Sequence, residues 1–440
     1  MPLYSKMIPT TKIATTNNKP MSHPPFPGTA SLLGAGPPAA LPRRLAGGTN
    51  SDALERFYLR HPPLHLRLAG GGAPYSAEPQ PCSQMAMEQR GAAMATVRSG
   101  GPDDAVLPAR SGPEPLSADA PALAVDLGGT KLLVGIVDHG GRVLAEDRIA
   151  TPREGPESVA RAIRDLAREL RASLSLGTAP LAGVGVAVAG PTDHDRGVVY
   201  DPPNLNGWRD ETPFGPLLAR ELKETVHLEN DANAAALGEA WVGAGRGVRD
   251  LVYITVSTGI GGGFILGGRL YRGANGTAGE IGHMIVDPDG PLCHCGNRGC
   301  LEALASGTAI ARQAREAVAR GDRTELRRLA DRPEEITAAA VAEAAQAGDP
   351  LSADLYRQAG ARIGLVLSNF MALLNPAMIV VGGGVSKTGD LLFRPLRDAM
   401  AARVYPRPAR GVKLVPAALG DNVGIIGAAA LIYHHAGGQS

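Results

Sequence analysis

The chain has 440 residues, 44% of them hydrophobic and 20% charged, with a formal net charge of +1. That length exceeds a single domain of roughly 100–200 residues, and the mixture suits a folded enzyme with a sizeable core. So even a charge balance gives no global attraction to nucleic acid or to a membrane, and no apolar run reaches the ~18–20 residues that span a bilayer.

Aromatic residues are scarce at 4%, while glycines number 57. Such a composition suits α/β packing with tight turns. Of four cysteines, three lie between residues 293 and 300 and one is Cys82. This sparse set argues against a secreted disulfide framework, and no signal-peptide pattern opens the chain, so a cytoplasmic protein is expected.

The first segment differs from the rest. Half of the 36 prolines fall in residues 1–120, and the first 50 residues carry no Asp or Glu. Stretches such as MSHPPFPGTASLLGAGPPAALPRRLAGG lack periodicity, so residues 1–120 read as a disordered, low-complexity leader. The prolines oppose the amphipathic helix of an organelle transit peptide. The abrupt change of composition predicts that translation starts near Met85, Met87 or Met94, an expectation that an intact mass including residues 1–80 would refute.

From Pro121 the pattern is regular. Apolar runs Leu123–Val125 and Leu132–Val137 flank a Gly128-Gly129 turn, and His139-Gly140-Gly141 closes a hairpin. After Pro156, Val159, Ile163, Leu166 and Leu170 recur at helical spacing. LAGVGVAVAG (181–190) reads as a buried strand, and TVHLENDANAAALGEAWVGAG as a strand, a polar junction and an alanine-rich helix ending at Gly243. The opening theme returns in DLVYITVSTGIGGGFILGG. PAMIVVGGGVS (376–386) is again strand then glycine turn, and VGIIGAAALIYHH (423–435) reads as an apolar closing helix. The strand, glycine turn, strand theme at 123–137 and 251–266 suggests two related lobes with a ligand cleft between them.

Several stretches carry chemistry. In DLGGTK (126–131) paired glycines let backbone N–H groups approach anionic oxygens, Thr130 and Lys131 add a hydroxyl and a charge, and Asp126 could hold hydrated Mg²⁺. The Walker A spacing is absent and a strand follows, so the plain alternative is a hairpin turn with a solvated lysine. STGIGGG (257–263) and the glycines at 382–384 are two further turns after apolar strands; three together point to a phosphate-bearing ligand. Asp231, at the mouth of a helix, reads either as an N-cap or as a general base accepting the proton of an attacking hydroxyl. Glu280 and His283 in AGEIGH suit a polyhydroxylated substrate, against a surface Glu and a satisfied His.

LCHCGNRGC (292–300) supplies three thiols, and His283 lies ten residues before Cys293. Three thiolates and an imidazole are the donor set of a closed structural zinc site, while a redox pair would prefer C-x-x-C. A bond between Cys293 and Cys295 would be strained. His294 rivals His283 as the fourth ligand.

DLGGTK, ENDANAAALGEA, STGIGGGFILGGRLYRGANGTAGEIGH and CHCGNRGCLEALASG together resemble the ROK family (repressors, open reading frames and sugar kinases), most closely its bacterial glucokinases. The resemblance runs from about Leu123 to the C-terminus. It implies an α/β, actin-like (ribonuclease-H-like) two-lobed ATPase fold with duplicated mixed sheets. The small lobe would span 121–231 with helix 422–435 packed on it, and the large lobe 232–421 with a zinc loop at 283–300. It implies ATP and Mg²⁺ as cofactors, structural Zn²⁺, and a hexose phosphorylated at its 6-hydroxyl, with glucose the first expectation and N-acetylmannosamine, N-acetylglucosamine or fructose the alternatives. Asp126, Gly128, Gly129, Thr130 and Lys131 would form the first phosphate loop, Thr258 and Gly259 the second, and Gly383 and Gly384 the adenosine region. Asp231 would be the base, with Asn204, Asn230, Glu280, His283 and Glu302 around the sugar. Cys293, Cys295, Cys300 and His283 would hold zinc, His283 bridging metal and sugar.

A homo-oligomer, dimer or tetramer, is expected, without nucleic-acid or membrane partners. A sugar-responsive repressor of the same family would need a helix-patterned basic segment ahead of DLGGTK, where only SDALERFYLRH (51–61) reads as helical. A chaperone-type ATPase of the same superfold finds no peptide-binding segment.

Overall fold

The computed structural model describes residues 120–202, 204–329, 332–403 and 411–436. The leader expected over 1–120 lies outside them save for Ala120, and with it the candidate start methionines, Cys82 and segment 51–61.

Two five-stranded mixed sheets share one topology. In the first, β1 (Ala122–Leu127), β2 (Lys131–Val137) and β3 (Val143–Ala150) form an antiparallel meander. Helix α1 (Pro156–Ser173) then crosses to β4 (Val184–Val188), parallel to β1. Pro156 sits in the first turn of α1, where its missing N–H costs nothing, and Val159, Ile163, Leu166 and Leu170 form the buried face. A small sheet of β5 (Thr192–Asp193), β6 (Val198–Tyr200) and β7 (Glu211–Thr212) and helix α2 (Phe214–Leu222) lead to β8 (Val226–Asn230), parallel to β4. The order is β3-β2-β1-β4-β8.

Helix α3 (Asp231–Trp241) then leads into the second sheet. Its strands are β9 (Leu251–Val256), β10 (Ile260–Leu266), β11 (Arg269–Tyr271), β12 (Met378–Gly382) and β13 (Lys413–Pro416), ordered β11-β10-β9-β12-β13. Here too the central strand has an antiparallel neighbour on one side and a parallel one on the other. Between β11 and β12 come helices α4 (Leu301–Ala305), α5 (Gly307–Arg320), α6 (Leu326–Leu329), α7 (Ala338–Gln346) and α8 (Pro350–Leu374). After β12 comes α9 (Asp390–Ala401), and α10 (Val423–Ala436) closes the chain.

The two-residue period of β1 decides what covers each face. Leu123, Val125 and Leu127 pack with Val159 and Ile163 of α1, whereas Ala122 and Ala124 pack with Ile425, Ala428 and Ala429 of α10. Small residues on the second face let α10 lie close: a Cβ on Gly185 would fall 1.9 Å from the Ala428 carbonyl oxygen. In the second sheet Val252, Ile254 and Val256 face α8, while Leu251 and Tyr253 meet Ala235 and Ala236 of α3. Helices α3 and α10 also touch each other, and a Cβ on Gly427 would fall 2.3 Å from the Ala234 carbonyl oxygen.

Candidate active site and metal centre

The first glycine turn is built by hairpin geometry. Gly128 N–H donates to the Lys131 carbonyl at 3.0 Å, and the Thr151 hydroxyl donates to the Gly128 carbonyl at 2.6 Å. A side chain at Gly129 would meet Asn204, whose Cβ would lie 2.5 Å from an added Cβ. The loop carrying Asn204 therefore lies directly on this turn. Asp126 alternates onto the face that α10 covers, and a Cβ on Gly424 would fall 2.4 Å from its carboxyl carbon. Burial raises the Asp126 pKa and Lys131, at 4.0 Å, works against that rise.

Asp231 is the first residue of α3, and the cap is its neighbour. Asn230 Oδ1 accepts from Ala232 N at 2.9 Å and Asn233 N at 3.1 Å, while its amide nitrogen donates to the Gly190 carbonyl at 3.2 Å. Capping thus falls one residue earlier than the plain reading of Asp231 places it. Asn230 keeps one amide hydrogen for a ligand. Asp231 accepts one bond, from Ala232 N at 2.8 Å, and is open to solvent. Desolvation by the surrounding protein pushes its pKa up to about 6, helped by the charges of Asp126 and Glu280 and opposed by the Ala232 N–H.

The second and third turns meet. Ser257 N–H donates to the Gly259 carbonyl at 2.9 Å, and the Thr258 carbonyl accepts from the Thr308 hydroxyl at 2.8 Å, tying the turn to the start of α5. Gly383 has φ +86°, and a Cβ there would fall 2.3 Å from the Val256 carbonyl oxygen. That backbone admits only glycine without strain. Gly384 lies over Ser257, whose hydroxyl oxygen would be 3.8 Å from an added Cβ.

Glu302, at the start of α4, reaches the second turn: its Oε2 accepts from Ile260 N at 2.8 Å. Glu280 precedes a short 3₁₀ turn (Ile281–His283) that His283 ends, and His283 Nε2 lies 3.9 Å from Glu280 Oε2. Its other nitrogen faces the cysteines, with Nδ1 3.7 Å from Cys293 Sγ. Cys295 and Cys300 sulfurs are 3.6 Å apart. All four donor atoms of His283, Cys293, Cys295 and Cys300 lie within 4.8 Å of one another. A tetrahedral ion at Zn–S of about 2.3 Å needs sulfurs about 3.8 Å apart, so this set fits zinc. Burial pushes the Cys300 thiol up to about 12, and Cys295, exposed and bonded by the Asn297 N–H, falls below its ordinary value.

Other buried charges escaped the sequence reading. Glu229, just before Asn230, is 1% exposed and pairs with Arg272 at 2.5 Å. It also accepts from Asn233 at 3.0 Å and from Asn230 N at 3.0 Å. Glu239 is fully buried and accepts backbone N–H groups from Ala244 at 2.7 Å, Ala418 at 2.9 Å and Leu419 at 2.9 Å. The signal was a carboxylate inside an otherwise apolar helix.

The ROK family signature matches residues 122–435, the whole two-sheet unit. The chain belongs to the ROK family. A glucokinase of Thermotoga maritima is 37% identical over 317 residues, 72% of this chain and 98% of the relative. A ROK family glucokinase from Streptomyces griseus, solved in complex with glucose and AMPPNP, is 38% identical with a TM-score of 0.61, over 71% of this chain and 99% of that one. A xylose repressor of Bacillus spizizenii is 27% identical over 71% of this chain and 77% of the repressor. These neighbours bear out the α/β, actin-like two-lobed fold expected of the sequence.

Proposed function

We propose that this protein transfers the γ-phosphoryl group of ATP to the 6-hydroxyl of a hexose, glucose first among them, as the entry step of glycolysis. The glucokinase relatives support this, and one observation carries it in the chain itself. Asp231, with its pKa pushed up to about 6, stands in the field of Asp126 on the phosphate side and Glu280 on the sugar side. A carboxylate with that pKa is ionised at neutral pH yet basic enough to take a proton in the transition state.

In this reading Asp231 accepts the proton of the sugar 6-hydroxyl and orients the oxygen for in-line attack. Glu280, His283 and Glu302 bind the other hydroxyls, with Asn204 and the free amide hydrogen of Asn230 beside them. Backbone N–H groups of the turns at Gly129–Thr130 and Thr258–Gly259 face the phosphates, Lys131 adds positive charge, and Gly383–Gly384 border the adenosine. Mg²⁺, when bound with ATP, neutralises phosphate charge, and Asp126 is the residue that would hold it. His283, Cys293, Cys295 and Cys300 would hold a structural zinc, which would pin the loop presenting His283 and Glu302. The two sheet units, 121–231 with the last helix and 232–421, act as lobes that close on the substrates and exclude water.

We place the protein in the cytoplasm as a dimer or tetramer, without nucleic-acid or membrane partners; among the described residues no helix is long and apolar enough to cross a membrane. A repressor role would need a DNA-binding segment ahead of Asp126, on residues outside those described. An ADP-release assay over glucose, fructose, N-acetylglucosamine and N-acetylmannosamine tests the function. Glucose should give the highest kcat/KM, and absence of turnover with all four would overturn the proposal.

A further inference from the structure

His294 lies between the first two cysteines, at the tip of a small hairpin. Cys293 N–H donates to the Asn297 carbonyl at 2.7 Å, Gly296 N–H returns to the Cys293 carbonyl at 3.0 Å, and Leu292 pairs with Arg298. The tip is thus fixed by its own backbone. From there the imidazole stands between the sulfurs and Glu302: Nδ1 is 3.9 Å from Cys293 Sγ, against 3.7 Å for His283 Nδ1, and 3.1 Å from Glu302 Oε1, so the carboxylate is its near partner. It is 71% exposed, against 29% for His283; His283 groups with the three cysteines, whereas His294 groups with His283 and Glu302, whose donor atoms also lie within 4.8 Å of one another.

The Glu302 carboxylate is therefore held at both ends. Ile260 N–H donates to Oε2 at 2.8 Å, and His294 stands at Oε1. A carboxylate has about four lone-pair directions, so two donors fix its plane and leave one direction on each oxygen. We propose that His294 is a positioning residue, donating from Nδ1–H to Glu302 Oε1 so that the two remaining lone pairs of Glu302 face sugar hydroxyls, and that it is not a metal ligand. This rests on the hexose-kinase reading above. The role differs from that of His283, whose Nδ1 faces the sulfurs and whose Nε2 faces Glu280.

The test uses the full chain with zinc bound, in three forms: wild type, His294→Ala and His294→Asn. The asparagine amide nitrogen takes the place of Nδ1 and keeps the donor. Metal analysis gives zinc per chain, calorimetric titration with glucose gives Kd, and steady-state kinetics give KM for ATP. His294→Ala should retain its zinc and weaken glucose binding about five-fold, as expected for one exposed hydrogen bond to a carboxylate. KM for ATP should stay unchanged, because Ile260 still holds the second turn. His294→Asn should bring glucose affinity back to the wild-type value.

Loss of zinc in His294→Ala would make the residue a ligand and overturn the proposal. Retained zinc with unchanged glucose affinity would overturn it too, and so would an Asn variant as weak as Ala. Wild-type protein that carries zinc but binds no glucose would sink the hexose-kinase reading, and this role with it.

Discussion

Asp231 illustrates how a single carboxylate is prepared by its neighbours. Asn230 takes over the capping of α3, so the Asp231 side chain is left with one backbone donor, while protein bulk and the charges of Asp126 and Glu280 all disfavour its ionised form. The folded pKa of about 6 lies above the ordinary value of 3.8. In the proposed role of base the group must be ionised, so kcat/KM for glucose should fall as pH drops through about 6 in a pH–rate profile. Stability carries the opposite sign. A carboxyl with a raised folded pKa favours the folded state below 3.8 and loses that contribution as pH rises to about 6. Asp231→Asn should therefore raise Tm at pH 7 while abolishing turnover, and the gain should vanish near pH 3. An unchanged kcat in that variant would falsify the assignment of the base.

At the scale of elements, the segment from Ile281 to Glu302 brings His283 and the three cysteines together as candidate metal donors, with Glu302, a second candidate sugar residue, at its end. Backbone bonds hold it, such as Leu301 N–H to the Met284 carbonyl at 2.9 Å, and its two ends pack on the core through Ile281, Met284, Val286 and Leu301, but Ile285 and Leu292 are exposed. The proposed zinc would add a cross-link to this backbone framework. Removing zinc with a chelator should lower Tm and weaken glucose affinity together, measured by thermal unfolding and calorimetry, and readdition of Zn²⁺ should restore both. Full sugar affinity in the metal-free protein would refute that link. That the three cysteines would cluster was readable beforehand because their spacing is local, while the choice between His283 and His294 beside them was not; the glycine turns were readable too, since only glycine satisfies φ +86° at Gly383 or the contact of Gly259 with Glu302. Glu229 with Arg272 and Glu239 with Ala418 were not. Their partners lie 43 and 179 residues away, and no periodicity announces such distances.

For the whole molecule, the repeated strand, glycine turn and strand showed in advance that two similar units were present, and both sheets do run in the same order. What joins them is the α3–α10 pair, α3 seated on the second sheet and α10 on the first, in contact at Gly427. Inside an ordinary helix Gly→Ala gains about 1 kcal/mol. At Gly427 the added methyl meets the Ala234 carbonyl at 2.3 Å, so Gly427→Ala should instead destabilise by about 1–3 kcal/mol in urea unfolding. A stabilised variant would show that the helices have room to separate.

The position of α10 also sets an order on the birth of the molecule. The Ala122 and Ala124 face of β1 is sealed by Ile425, Ala428 and Ala429, and the Tyr433 hydroxyl donates to the carbonyls of Ala120 at 3.0 Å and Val137 at 3.1 Å. A ribosome completes the first sheet at Asn230, about 190 residues before its cover begins at Val423, at about 5–20 residues per second. For that interval, tens of seconds, the nascent sheet shows a bare apolar face to the cell. One face of the second sheet, by contrast, meets helix α3, which precedes it in the chain.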